Sequence, residues 1–260
     1  MRRLAMLLPA LLLVTPTTAQ MAMPLPADIL VQTVDSDTKP RPWAIFFPRA
    51  AGVGSLVPGN QYADLAAFLN QRGIDVAIID GDFALKRLNP VGSAGEKRAV
   101  IAVDALGRLR AQGRFDMRCP GIVVGWSRGG EGALTLASST SGTDSGIRAA
   151  IVYYPSVGGQ PSPWPQRMPV LALQGSADGT APAKKLEALA AKRVRNDEYP
   201  FVIKLYPGAK HRFDVARPVD DPASAKVGKD FDAKAHADAL AAIDAFLTER
   251  AISGESCALD

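Results

Sequence analysis

The sequence has few of the residues that would place it in several large protein classes. It carries only 2 histidines and 2 cysteines in 260 residues. The spacing of Cys119 and Cys257 fits no zinc pattern, so no metal centre is expected. Beyond residue 19 no run approaches the roughly 20 consecutive apolar residues needed to cross a bilayer, so no stable membrane insertion is expected. An excess of one charge is also missing: 30 Lys and Arg against 26 Asp and Glu leave +4, and two of those bases, Arg2 and Arg3, belong to the opening segment. A surface so near neutrality does not suit a phosphate-backbone binder, and no nucleic-acid partner is expected. Repeats and interdomain linkers are not visible. With 47% hydrophobic and 22% charged residues, the chain has ample material for a folded core.

The opening segment reads as an export leader. Arg2 and Arg3 form a basic start, Leu4 to Val14 an apolar stretch, and Thr17-Thr18-Ala19 offers small residues ahead of a cleavage point before Gln20. The apolar stretch is about 11 residues and contains Pro9, which is short for an anchor. No lipobox cysteine lies near the cleavage region. Residues 1–19 are therefore expected to be a signal peptide and 20–260 one domain, secreted or periplasmic.

In the remainder, short apolar runs alternate with longer segments of helical spacing. Trp43 to Phe47, Asp75 to Ile79, Ile122 to Val124, Ala149 to Tyr153, Val170 to Leu173 and Phe201 to Leu205 are nearly continuous in hydrophobicity, as strands covered on both faces must be. Helical spacing relates Tyr62, Leu65, Ala66 and Leu69; Val100, Val103, Leu106 and Leu109; Leu186, Leu189 and Val194; and Leu240, Ile243, Phe246 and Leu247. This alternation predicts an α/β fold, a mostly parallel sheet with helices on both faces. Ile29 to Val34 is a candidate antiparallel edge strand. Asp82 to Gly95 and Pro155 to Arg167 read as long irregular segments at the carboxyl edge of the sheet, where such folds bind ligands. They are too short for a large cap domain. Ser138 to Gly146 reads as a turn.

The chemistry is concentrated in Gly125-Trp126-Ser127-Arg128-Gly129, a Gly-x-Ser-x-Gly that follows a buried strand and opens a helical pattern. Such a turn projects a serine Oγ at a helix N-terminus, where N–H groups favour developing negative charge. A serine needs a base, and histidine titrates near neutrality. His211 lies in a loop directly after the last expected strand, whereas His236 sits on the polar start of the final helix and reads as a solvated surface residue. The imidazole in turn needs a carboxylate. Asp178, in a strand-to-helix loop, completes the order Ser127, Asp178, His211 that α/β-hydrolases use. Asp214, three residues beyond His211, is a rival acid that reads better as a turn residue. The oxyanion donors are expected to be the backbone N–H of Arg128 and that of either Arg49 or Ala50. No cofactor is required.

Three segments carry a resemblance. Gly-Trp-Ser-Arg-Gly-Gly from Gly125, Leu-x-x-x-Gly-x-x-Asp from Leu171 and Tyr-Pro-Gly-x-x-His-x-Phe from Tyr206 are similar to those of the dienelactone hydrolase family, a branch of the α/β-hydrolase fold. The similarity runs from about Trp43 to the final helix. The family's namesake uses a cysteine nucleophile where this chain has Ser127, which directs the expectation to a serine esterase acting on a small-molecule ester. Arg49, Lys86, Arg87 and Arg128 fall near the same edge and would admit an anionic substrate, although exposed bases are ordinary. Trp126 and Trp164 are expected to border the substrate, with Tyr153 and Tyr154 either beside them or at the core boundary. A noncatalytic binding protein on the same fold is the reading from another class, and a thioesterase or peptidase could use the same triad. In this topology Cys119 lies at the edge opposite the active site, where the final helix also ends, so a Cys119–Cys257 disulfide is expected.

Overall fold

The structure is a computed structural model that describes residues 28–32, 40–50, 52–54, 56, 58–116, 118–194, 198–216, 228–253 and 257. The expected leader lies outside the described residues. Among those described, no helix is long and apolar enough to cross a membrane.

Seven strands form one sheet in the order β1-β3-β2-β4-β5-β6-β7. They are β1 (Ile29–Gln32), β2 (Trp43–Phe47), β3 (Asp75–Ile79), β4 (Gly121–Trp126), β5 (Ile147–Tyr153), β6 (Val170–Gly175) and β7 (Phe201–Tyr206). Only β1 runs antiparallel, pairing Ile29 with Ile79, and the other pairings are parallel. The helices are α1 (Gln61–Asn70), α2 (Gly81–Leu88), α3 (Ala94–Ala111), α4 (Arg128–Ala137), α5 (Thr140–Asp144), α6 (Ala183–Ala191) and α7 (Ala233–Glu249). Among the described residues no inserted domain caps the sheet.

The period of two along each strand divides the core between the faces of the sheet. Trp43, Ile45 and Phe47 join Ile101, Leu106, Leu134 and Leu186 on one face. Ala44 and Phe46 join Leu65, Leu69, Ile243 and Phe246 on the other. Every residue of β2, β4 and β6 is buried, which explains why these strands appear in the sequence as unbroken apolar runs. Chain order reverses about β2, flanked by β3 and β4, and the carboxyl ends on either side of such a reversal border a crevice.

Three expectations need correction. The segment from Asp82 to Gly95 is mostly helical: Asp80 caps α2 by accepting from the N–H groups of Asp82 and Phe83, and Ser93 and Glu96 form a reciprocal capping box on α3. The turn at Ser138 to Gly146 contains the short helix α5, started by Ser139 accepting from Gly142. On α3 the inward face is Ala99, Ile101, Ala102, Ala105, Leu106 and Leu109, whereas Val100 and Val103 are exposed. Abundant alanine made the buried stripe harder to see than the two valines. The expected bridge does form between Cys119 and Cys257, across a separation of 138 positions.

Candidate active site

Ser127 stands between β4 and α4. Its φ of 52° and ψ of −114° lie where non-glycine residues seldom rest, and although serine is a favoured N-cap, its side chain makes no capping hydrogen bond to α4. The turn is held by the backbone: Ser127 N–H donates to Tyr153 O at 3.0 Å, and Ser127 O accepts from Ser156 N–H at 2.9 Å. The flanking glycines are required by close approach. A Cβ on Gly125 would lie 2.7 Å from Gly130 N, and one on Gly129 would collide with the carbonyl oxygen of Phe47. This contact seats the first turn of α4 against the end of β2, beside Arg49.

His211 follows β7 and Asp178 follows β6. Nδ1 of His211 lies 2.7 Å from Oδ2 of Asp178. The other carboxylate oxygen accepts from the N–H groups of Thr180 and Ala181, each at 2.8 Å, and Gln174 donates to Oδ2 at 3.1 Å. Burial is the largest influence on the Asp178 carboxyl and raises its pKa. The contacts from His211, Ala181 and Thr180 together outweigh it and hold the pKa below the ordinary carboxylate value. The imidazole packs on the ring of Tyr154 with centroids 4.5 Å apart. Tyr154 follows Tyr153, whose carbonyl receives the Ser127 N–H, so the serine and histidine loops both rest on the carboxyl end of β5.

The remaining expected site residues separate. Arg128 is exposed at the start of α4. The N–H of Arg49 is already donated to Tyr62 Oη at 3.0 Å, while its Nε and Nη2 are buried without partners. Ala50 is exposed beside it. Arg87 is held away by Asp28 and Asp104, at 3.0 and 2.6 Å. The expectation that Trp126 and Trp164 border a substrate is overturned, because both are fully buried. Trp126 is wedged between Tyr62 and Tyr153 and donates to Asp214, and Trp164 lies in the opposite core and donates to Gln160. Tyr153 and Tyr154 are buried as well.

Asp214 does sit in the turn after His211, closed by Val215 N–H donating to Arg212 O at 3.1 Å, but its side chain does more than shape that turn. It is 3% exposed and accepts from Trp126 Nε1 at 2.8 Å and Tyr154 Oη at 2.7 Å. Burial raises its pKa against the opposing pull of those two donors. His236 is half-buried with its Nδ1 shielded, rather than solvated. Neither placement has a local sequence signal, because both depend on packing across distant segments.

A cleft of about 270 Å³ opens between the first turn of α4 and the Asp178 loop, bordered by Glu131, Pro155, Val157, Thr180, Ala181 and Lys185. A larger one, about 620 Å³, lies away from these residues between α3, α4 and α5, with Val100 and Val103 on its wall.

Residues 93–250, more than half of the chain, match the model of the dienelactone hydrolase family. No curated protein matches. Among solved structures, esterase 2 of Thermogutta terrifontis phosphoramylated by tabun is similar at 17% identity and TM-score 0.58, covering 86% of this chain and 90% of that one. Its butyrate-bound form is similar at 18% identity and TM-score 0.57, covering 87% and 90%. At such identity the likeness is one of fold.

Proposed function

Because the chain belongs to the dienelactone hydrolase family and is on that ground an ester-hydrolysing enzyme, we propose that it cleaves carboxylic esters through Ser127, His211 and Asp178 by way of an acyl-enzyme. The observation that carries this reading is the Ser127 hydroxyl, left uncapped on a left-handed backbone turn at a helix start, with a carboxylate-paired imidazole on the neighbouring loop. Strain of that kind costs about 1–3 kcal/mol and persists where the surroundings impose it.

In the reaction, Ser127 Oγ attacks the acyl carbonyl while His211 Nε2 takes its proton. Asp178 stays ionised, fixes the tautomer with the proton on Nδ1, and stabilises the imidazolium. The tetrahedral oxyanion is held by backbone N–H groups of Arg128 and Ala50; engagement of the Arg49 N–H by Tyr62 favours Ala50 over Arg49. His211 then protonates the departing alcohol, and a water activated by the same imidazole releases the acid.

The butyrate and propionate bound in forms of the structural neighbour favour compact esters as the substrate class. Export is part of the same proposal. It rests on the leader-like residues 1–19 and is supported by the Cys119–Cys257 bridge, since disulfides persist in oxidising compartments.

The test combines fluorophosphonate labelling with turnover of p-nitrophenyl acyl esters of increasing chain length. The wild type is expected to label and to turn over the short esters fastest. Ser127→Ala is expected to lose the label and at least about a thousandfold in kcat. Labelling that survives in Ser127→Ala would refute the nucleophile assignment.

A further inference from the structure

Asp214 is a buried carboxylate that the mechanism above does not use. Its two oxygens hold two side chains from different strand ends. Oδ2 accepts from the indole of Trp126, the residue immediately before Ser127, and Oδ1 accepts from the hydroxyl of Tyr154. The Tyr154 ring lies against the His211 imidazole. Asp214 itself stands three residues beyond His211, turned inward by a left-handed backbone at Arg212, φ 67°, and a hydrogen bond from Val215 N–H to Arg212 O at 3.1 Å. The carboxylate thus closes a ring of contacts running from the nucleophile turn through Trp126, Asp214 and Tyr154 to the histidine loop.

Packing alone does not call for an acid here. A buried ionisable group is costly unless paired, and around Asp214 stand its donors Trp126 and Tyr154, with Tyr62, Tyr153 and His236 within electrostatic reach. What an acid adds is two acceptors in fixed geometry, one for each donor.

We propose that Asp214 is a positioning residue that sets the nucleophile turn and the His211 ring relative to one another. The inference rests on the Ser127–His211 reading and adds that the alignment of the pair depends on a carboxylate that touches neither. An asparagine can reproduce both contacts, its oxygen accepting from Trp126 and its amide donating to a rotated Tyr154 hydroxyl. Alanine can reproduce neither.

The experiment uses the purified full chain and two readouts. One is p-nitrophenyl butyrate kinetics. The other is the downfield proton resonance of the His211 Nδ1–H shared with Asp178, assigned by its loss in His211→Gln. Asp214→Ala is expected to lower kcat about 100-fold, the scale of a misplaced catalytic group, with KM little changed and the resonance shifted or broadened. Tyr154→Phe keeps the ring on His211 but cuts one strut, and is expected to lose about tenfold in kcat with a smaller shift of the same resonance. Asp214→Asn is expected to recover most of the rate and the wild-type resonance.

Wild-type kcat and an unmoved resonance in folded Asp214→Ala would overturn the proposal, as would an Asparagine variant as impaired as the alanine one. If Asp214→Ala does not fold, Tyr154→Phe decides by the same two measures. A wild type that neither labels with fluorophosphonate nor turns over esters defeats the esterase reading instead, and the His211 resonance still reports whether Asp214 positions the ring.

Discussion

At the scale of single residues, two aspartates near the same imidazole are driven in opposite directions by their surroundings. Asp178 is ionised more readily in the fold than in the unfolded chain, because its hydrogen bonds outweigh its burial. Its contribution to stability is therefore complete above the ordinary carboxyl value of 3.8 and is lost as pH falls through the lower native value. Asp214 has the reverse sign. Its native pKa is raised by burial, so its ionisation costs nothing in acid below 3.8 and destabilises the fold increasingly as pH climbs through the native value. Asp214→Asn removes that cost while keeping both hydrogen bonds, so at about pH 7 it should unfold at a temperature equal to or above wild type. The difference should vanish towards pH 3.8 and below. Thermal unfolding of the two proteins across this range checks it, and a variant that melts well below wild type at neutral pH contradicts the assigned direction. The three residues proposed as a triad can be picked out in the sequence because each sits in a loop after a conspicuous strand. Asp214 cannot, since nothing in His-Arg-Phe-Asp indicates that Trp126 and Tyr154 lie within reach.

At the scale of elements, the junction of β2, β4 and α4 is where sequence and geometry agree most closely. Within Gly-x-Ser-x-Gly, Gly129 meets the backbone of Phe47 where any Cβ would collide. Gly129→Ala should push α4 away from the strand, cost about 1–3 kcal/mol in the manner of overpacking, and depress turnover with it. Gly107 is the control. It lies within α3 with open space where its Cβ would be, so Gly107→Ala should stabilise by about 0.5–1 kcal/mol through helix propensity and leave turnover alone. Denaturant unfolding and ester kinetics on both variants separate the two cases, and a Gly129→Ala enzyme as stable and active as wild type would remove close packing as the reason for the motif. The strands β2, β4 and β6 were legible because burial on both faces writes a continuous apolar run, whereas β7, equally apolar in sequence, is an edge strand with Lys204 and Leu205 exposed. The helix α2 was obscured by Gly81 at its start and by the breakers Asn89-Pro90 and Gly92-Ser93 that follow it, and α5, Thr-Ser-Gly-Thr-Asp, by weak helix formers whose order comes from the Ser139 cap and the packing of Gly142 on Leu136.

At the scale of the whole molecule, the proposed catalytic residues and the covalent crosslink occupy opposite edges of one sheet. Ser127, Asp178 and His211 follow the carboxyl ends of β4, β6 and β7, whereas Cys119 precedes β4 and binds Cys257 beyond α7. The bridge closes a loop of 138 positions that contains all three residues. By the loop-entropy relation it disfavours the unfolded chain by about 4–5 kcal/mol, an upper value because native adjustments subtract from it. Its effect falls on the unfolded state, so removing it should lower the unfolding midpoint while leaving the proposed Ser127–His211 pair of the folded population as it is. Cys257→Ser is thus expected to unfold at lower denaturant, with kcat and KM at 25 °C unchanged. Cys119→Ser and the double variant should behave alike, since each removes the same crosslink. A fall in kcat under conditions where the variant remains fully folded would mean that the end of α7 reaches the active site through the sheet, and the separation of roles between the two edges would fail.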